Sequence, residues 1–336
     1  MDSETKKSSS KGSQIPETPE TEQQKINEVR KLIGPLSGKL AIYCSDACIA
    51  RYLRARNWNV KKATKMLKES LKWRLEFKPE EIRWEEVASE AETGKIYRTN
   101  YKDKFGRTVL VMRPRCQNSK SIKGQIKYLV YCMENAILNL PPDQEQMVWL
   151  IDFHGFNMSN ISVKVTKETA YVLQEQYPER LGVAVLFDAP KIFEPFWKVV
   201  KPFLEPKTAH KVKFAYSDDP NTKKILEDLF DMDELEPAFG GRSTEEFDIN
   251  RYAERMKEDD KRVPAFWKTE DDPSKASEPV ILPDSGNTNG VSDSDSSDEK
   301  ADGSSSHEAD IEELSIIDDS SSPTKNGSDV AKNDLK

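Results

Sequence analysis

The stretch QYPERLGVAVLFDAP (residues 176–190) joins two unlike pieces. VAVLFDAP is an apolar, β-branched run closed by Asp-Ala-Pro, the pattern of a buried strand that ends in a turn. QYPERLG places a Tyr, a Pro and an adjacent Glu179-Arg180 pair directly ahead of that strand. Such polar groups need a reason to stand at the entrance to a core.

Working outward, the same alternation repeats. QMVWLIDFHG reads as a buried strand with Asp152 at its end, and VKVTKETAYVLQEQY as a helix. KIFEPFWKVVKPFL is a helix with Pro near both ends, VKFAY a strand, and DPNTKKILEDLF a helix. Upstream, KIYRTNY, KDKFG and RTVLVMRP give strand, turn and strand, followed by the amphipathic helix SIKGQIKYLVYCMENAILNL, which Pro141 and Pro142 stop. Strands alternating with helices indicate an α/β fold: a mainly parallel sheet covered by helices, with right-handed crossovers. Residues 26–93 read instead as a small helical bundle. SDACIARYLRARNW has an N-cap at Ser45, with Ala47, Ile49, Tyr52 and Leu53 at helical spacing. NVKKATKMLKESLKWRLEF carries Val60, Ala63, Met66, Leu67, Leu71 and Leu75 on one face. WEEVASEAETG ends on Gly94. The expected organisation is 1–25 disordered, 26–93 helical, 94–245 α/β, 246–268 a last helix, and 269–336 a disordered acidic tail.

Charge supports that division. The whole chain is −8, but residues 269–336 contribute 18 acids against 5 bases, and residues 1–25 contribute 5 against 4. The remainder, 26–268, is about +6, mildly basic. The tail has too few apolar side chains to offset its ordering entropy. Cys44, Cys48, Cys116 and Cys132 form no zinc spacing. Without a signal peptide they read as reduced thiols of a cytosolic protein. No apolar run approaches the ~20 residues that span a bilayer.

Catalytic signatures are missing: there is no Gly-x-Ser-x-Gly, no phosphate-cradling Gly-rich loop and no His-Glu-x-x-His. His154 follows a strand end without a nucleophile motif beside it. Asp152 reads as the cap of the Gly155 turn, and Gly240-Gly241 as a tight turn. No metal or cofactor is expected, and no enzyme.

Two other features stand out. On a helix, Ile192, Phe193, Phe196, Trp197, Val200, Phe203 and Leu204 cover more than half the circumference, with Lys191, Lys198 and Lys201 between them. That fits a core helix, or a segment facing an apolar cavity or lipid with lysines near headgroups. Glu179 precedes one strand, and Thr208 and Lys211 precede the next. In a right-handed parallel unit both strand starts lie at one end of the sheet, so the three can converge. The trio fits a surface ion pair worth ~0–1 kcal/mol, which the residues alone favour, or a phosphorylated polyol held by cation, hydroxyl and carboxylate.

YLRARNWNVKKATKML, GRTVLV, LIDFHG, QYPERLG, FDAP, KPFLEPKTAHKV and PAFGGRS, in this order and spacing, resemble the CRAL-TRIO lipid-binding family, in its phosphatidylinositol-transfer branch. The resemblance covers about residues 40–245. It implies an apolar lipid pocket inside the α/β domain, closed by a helical gate that aligns with KIFEPFWKVVKPFL, whose Phe193, Phe196 and Trp197 would meet membrane. The family's inositol-headgroup positions fall on Arg56, Glu179, Thr208 and Lys211, with Arg180 supporting Glu179. Asn57 stands where the family often has a lysine. Met147, Trp149, Leu110 and Leu138 are bulky and apolar where a choline headgroup would want hydroxyls. Phosphatidylinositol, with a second, less polar lipid such as a sterol, is therefore the expected cargo.

The expected function is non-catalytic: extracting, shielding and delivering one phosphatidylinositol, or presenting it to a lipid kinase. The protein would be a cytoplasmic monomer, peripheral at phospholipid membranes, with no nucleic-acid partner. Carriage of another apolar ligand such as a sterol, or a role as a protein-interaction adaptor, are the rivals. In the tail, SDSDSSDE and SSPTK read as phosphorylation sites; DIEELSIIDD fits a docking peptide, while the tail as a whole reads rather as a solvating, phosphorylatable tether.

Overall fold

Leu110, Trp149 and Ala184 stand side by side on three neighbouring strands and define one face of the sheet. The computed structural model describes residues 19–268; the expectations for the first 18 residues and for the tail lie outside them. Five strands pair in sequence order: β1 (Ile96–Lys102), β2 (Thr108–Met112), β3 (Met147–Asp152), β4 (Leu181–Phe187) and β5 (Val212–Ala215). β1 is antiparallel to β2 and the others are parallel, as the alternating pattern predicts.

The helices are α1 (Pro19–Ile33), α2 (Gly38–Tyr43), α3 (Asp46–Ala55), α4 (Val60–Phe77), α5 (Trp84–Ala91), α6 (Ile122–Leu138), α7 (Val163–Tyr171), α8 (Phe193–Val200), α9 (Pro206–His210), α10 (Pro220–Leu229) and α11 (Ile249–Phe266). Two of the crossover helices share the Leu110–Trp149–Ala184 face. Thr108, on that face, donates to the α6 carbonyl of Ala136, and Trp197 of α8 packs edge-on against Phe214 of β5. On the opposite face Tyr252 of α11 packs edge-on to Tyr97, joined by Phe247 on Tyr97 and Phe239 on Phe187 from the irregular segment after α10.

α1 to α4 enclose their own core, which includes Ile26, Val29, Leu53 and Leu67. Two boundaries and one buried position differ from the sequence reading. Residues 19–25 are helical, not loose. Ile26, Val29 and Ile33 pack at helical spacing, and the polar turn ahead of them is favoured by Glu20 and Glu22 at the positive helix end. α5 does not join the helical bundle, because Trp84, Val87 and Ala91 pack into the core of the sheet. On α4, Leu75 is exposed and Arg74 is buried in its place. Arg74 meets Glu134 at 2.9 Å and Glu80 at 3.3 Å, so an ion-pair network occupies a position that apolar periodicity assigned to leucine.

Candidate functional site

The entrance to β4 is built by an interrupted helix. α7 widens into a π-turn over Val172–Gln176, and the chain then turns at Tyr177 and Pro178. Tyr177 is fixed by its hydroxyl, which donates to Glu134 at 2.6 Å. Glu179 follows with φ of +59°, a left-handed conformation that is uncommon for a non-glycine residue and is often held at functional positions. The polar stretch thus sits where Pro178 ends the helix and Leu181 starts the strand.

Lys211 reaches the same place from the next crossover. Pro206 opens the short α9, Lys211 closes it, and its backbone N–H bonds to the Thr208 carbonyl at 3.0 Å. Its own carbonyl accepts from Ala184 at 2.9 Å, which locks it onto β4. Lys211 Nζ donates to Glu179 Oε2 at 3.1 Å, and both side chains are about four-fifths buried. Glu179, Thr208 and Lys211 line one recess together with Tyr177, Glu205 and Lys207. The recess holds about 20 Å³, room for a water and far from enough for a sugar phosphate.

Arg56 stands beside this recess without lining it. As the last residue of the α3 turn it donates to Glu175 at 3.0 Å and to Glu205 at 2.9 Å. Glu175 and Glu205 were missed by the sequence reading, although Glu205 lies inside the quoted motif KPFLEPKTAHKV; nothing in the spacing shows that two carboxylates from different elements would bracket one arginine. Arg180 is not a support for Glu179. It donates to the Glu145 carbonyl at 2.9 Å and lines a different cavity. Lys211 and Arg56 are thus each answered by carboxylates, while Lys207 donates to the Arg54 carbonyl at 2.8 Å.

α8 lies over the sheet between the two strand ends. Phe193 packs on Phe153 at 4.6 Å and on Phe156 at 5.8 Å, Phe196 packs beside Phe193, and both are buried. In this arrangement Phe193, Phe196 and Trp197 face protein, while Ile192 and Phe203 are the exposed apolar side chains, with Lys191, Lys198 and Lys201 near them. Beneath the helix, Met112, Ile151 and Phe214 are only partly buried, although they share the apolar face of the sheet. Leu110 and Met147 are wholly enclosed in the core, and Leu138 lines the other cavity, so of the four residues set against choline only Trp149 remains a candidate wall. Among the described residues its buried indole Nε1 has no partner.

The bland roles read for other residues hold. Asp152 accepts from the His154 backbone at 2.9 Å within the Gly155 turn, and Arg115 pairs with its other oxygen. Gly240 has φ of +80°, and a Cβ on Gly241 would stand 1.9 Å from the Leu235 carbonyl. The cysteines are free; burial pushes the Cys132 thiol up to about 12. Among the described residues no group of His, Cys, Asp or Glu could hold a metal, and no helix is long and apolar enough to cross a membrane.

A helix-capped, mostly parallel sheet with a polar recess at its strand starts and an aromatic helix over one face has the make-up of a binding domain. Known proteins give it a family. A model described as the CRAL/TRIO domain matches residues 91–241, and one described as the CRAL/TRIO N-terminal domain matches residues 18–69. The chain belongs to the CRAL-TRIO family. A CRAL-TRIO domain-containing protein of Schizosaccharomyces pombe is 36% identical over 212 residues, which is 63% of this chain and 20% of that protein. The phosphatidylinositol transfer protein PDR17 of Saccharomyces cerevisiae is 31% identical over 220 residues, 62% of this chain and 60% of its own length. The phosphatidylinositol transfer protein CSR1 of Eremothecium gossypii is 30% identical over 217 residues, 60% of this chain and 48% of its own. The chain thus spans between a fifth and three fifths of these relatives. The crystal structure of Sfh5 shares the fold, with a TM-score of 0.55, 17% identity, and coverage of 71% of this chain and 92% of that one.

Proposed function

We propose that this protein binds one phosphatidylinositol, shields it from water and transfers it between membranes or presents it to a lipid kinase, without catalysis. The reading is carried by the meeting of Glu179, Thr208 and Lys211 in one recess at the starts of β4 and β5. On binding, the Glu179–Lys211 pair would separate. Lys211 and Thr208 would take the phosphate, and Glu179 would accept from inositol hydroxyls, with Arg56 joining once Glu205 lets go. The acyl chains would lie on Met112, Ile151 and Phe214 under α8. Burying them stabilises by ~0.8 kcal/mol per CH₂ and drives extraction. α8 is the gate: its inward aromatics release the sheet, and Ile192, Phe203 and the nearby lysines meet anionic headgroups first. The test is transfer of labelled phosphatidylinositol between vesicles. Transfer that exceeds that of phosphatidylcholine and is lost in Lys211→Ala supports the assignment, and equal transfer by the variant refutes it.

A second lipid is supported by Trp149. Its unpartnered indole N–H lies on the lipid-facing side of the sheet, where one acceptor on an otherwise apolar molecule, such as a sterol hydroxyl, would satisfy it. Mass spectrometry of lipids bound to the purified chain distinguishes this from phosphatidylinositol alone.

A further inference from the structure

The segment that holds Glu179 also borders a second cavity, of about 160 Å³. Tyr177 and Pro178 line both spaces, Glu179 only the recess, and Gln176 and Arg180 only the larger one. Its other walls come from α2, α3, α4, the 79–83 segment, α6 and α11.

Two of its polar groups, Arg180 and Gln176, are short of partners, while the others are paired. Arg51 meets Glu145 at 2.7 Å and Arg74 meets Glu134 at 2.9 Å. Among the described residues Arg180 has no carboxylate of its own and donates only to the neutral Glu145 carbonyl at 2.9 Å. Burial, and then repulsion from Arg51, pushes its guanidinium down to about 10. A half-buried cation held by a carbonyl alone lacks the anion that would offset its partly lost hydration. Gln176 lacks the opposite kind of partner. It is 2% exposed, its amide nitrogen reaches the Tyr171 hydroxyl at 3.4 Å, and among the described residues its oxygen has no donor. Much of the remaining wall is apolar, from Ile137, Leu138 and Trp267. The volume is close to the roughly 150 Å³ known to accommodate benzene.

We propose that this cavity is a second ligand site, separate from the headgroup recess, for a small acid with a benzene-sized apolar body and one hydrogen-bond donor. The anion pairs with Arg180 beside Arg51, the donor satisfies the Gln176 oxygen, and the ring packs on Leu138 and Trp267.

Salicylate carries all three elements and is the probe. Calorimetric titration into the full chain is expected to show one saturable site with Kd on the order of 0.1 mM. Phenol, which lacks the carboxylate, binds at least tenfold more weakly. Arg180→Gln weakens salicylate by tenfold or more, and Leu138→Trp, which fills the cavity and keeps every charge, abolishes binding. Lys211→Ala, altered only in the recess, binds salicylate as the wild type does, so failure here and failure of the phosphatidylinositol reading are told apart. No saturable binding, or equal affinity in a folded Arg180→Gln or Leu138→Trp chain, overturns the proposal.

Discussion

Lys211 and Glu179 form an ion pair at 3.1 Å across the starts of two adjacent parallel strands, from backbone positions fixed independently of each other. Lys211 is held by the Ala184 hydrogen bond, and Glu179 by the turn between Tyr177 and Arg180. A pair placed this way can open toward a ligand without moving the strands. It also separates a structural role from a binding role. Exchanging the two residues, Glu179→Lys with Lys211→Glu, restores opposite charges and is expected to keep the melting temperature near that of the wild type. Phosphatidylinositol transfer should fall ten- to a hundredfold, since a charge-assisted hydrogen bond is worth about 1.5–3 kcal/mol. Retained transfer in the exchanged chain would show that the pair only braces the fold.

Glu179 adopts φ of +59°, which costs a residue with a Cβ roughly 1–2 kcal/mol relative to glycine. Neither Glu179→Ala nor Glu179→Gly keeps the ion pair, so their difference isolates the backbone. The glycine variant should be more stable than the alanine variant by about 1 kcal/mol in urea denaturation, the reverse of the usual order inside helices and strands. Both should lose transfer alike. An alanine variant as stable as the glycine one contradicts the left-handed assignment.

Glu236 accepts from the Tyr97 hydroxyl at 2.7 Å, and burial holds its carboxyl above the ordinary range. A carboxyl raised in the folded state binds more protons than in the unfolded chain. Its penalty is absent below the unfolded value and appears as pH rises through the folded one. Glu236→Gln keeps an acceptor for Tyr97 and carries no charge. Thermal melts should find the variant more stable than the wild type at pH 7, with the gain shrinking toward pH 4. A gain that is the same at both values points to packing instead.

The fold was legible because each strand of the sheet is a short β-branched run bounded by turn residues, and because Pro141, Pro178 and Pro206 punctuate the chain where helices stop or start. The convergence of Glu179 with Lys211 followed from topology alone, since parallel strands begin at one end. What escaped were side-chain partners that strand order alone does not place. Arg74 replaces Leu75 inside because Glu80 and Glu134 await it. Arg180 turns from Glu179 toward the Glu145 carbonyl, 35 residues away. α5 reads as part of the helical bundle until Trp84 meets Tyr131 and Tyr252 in the other core. A periodic pattern tells which face of a helix is buried, but not which neighbour buries it.

Trp149 offers a selective change. Trp149→Phe removes an N–H that has no acceptor while keeping an aromatic ring of similar shape. Stability should change by less than about 1.5 kcal/mol, because a smaller ring is offset by the loss of an unsatisfied donor. Binding of a fluorescent sterol should weaken while phosphatidylinositol transfer persists. Equal loss of both would place Trp149 in a wall common to the two lipids.

Arg74 sits where the helical bundle meets the α/β part, and its environment makes the sharpest stability prediction. It is 3% exposed, bonded to Glu134 and Glu80, with its guanidinium over Tyr43 at 4.4 Å and Trp267 at 5.4 Å. Arg74→Met preserves much of the volume and removes the charge, leaving the enclosed Glu134 without its cation and Glu80 with only the longer Lys39 contact at 3.9 Å. Breaking one side of a buried pair costs about 3–5 kcal/mol. The cost comes from the stranded carboxylate, so neutralising Glu134 should recover part of it. Arg74→Met with Glu134→Gln is expected to lie at least 1 kcal/mol above Arg74→Met alone, since a buried unpaired charge costs more than a neutral amide that keeps the Tyr177 bond. If the double variant is as unstable as the sum of its parts, the loss is one of packing around the arginine stem, and the ion pair contributes little.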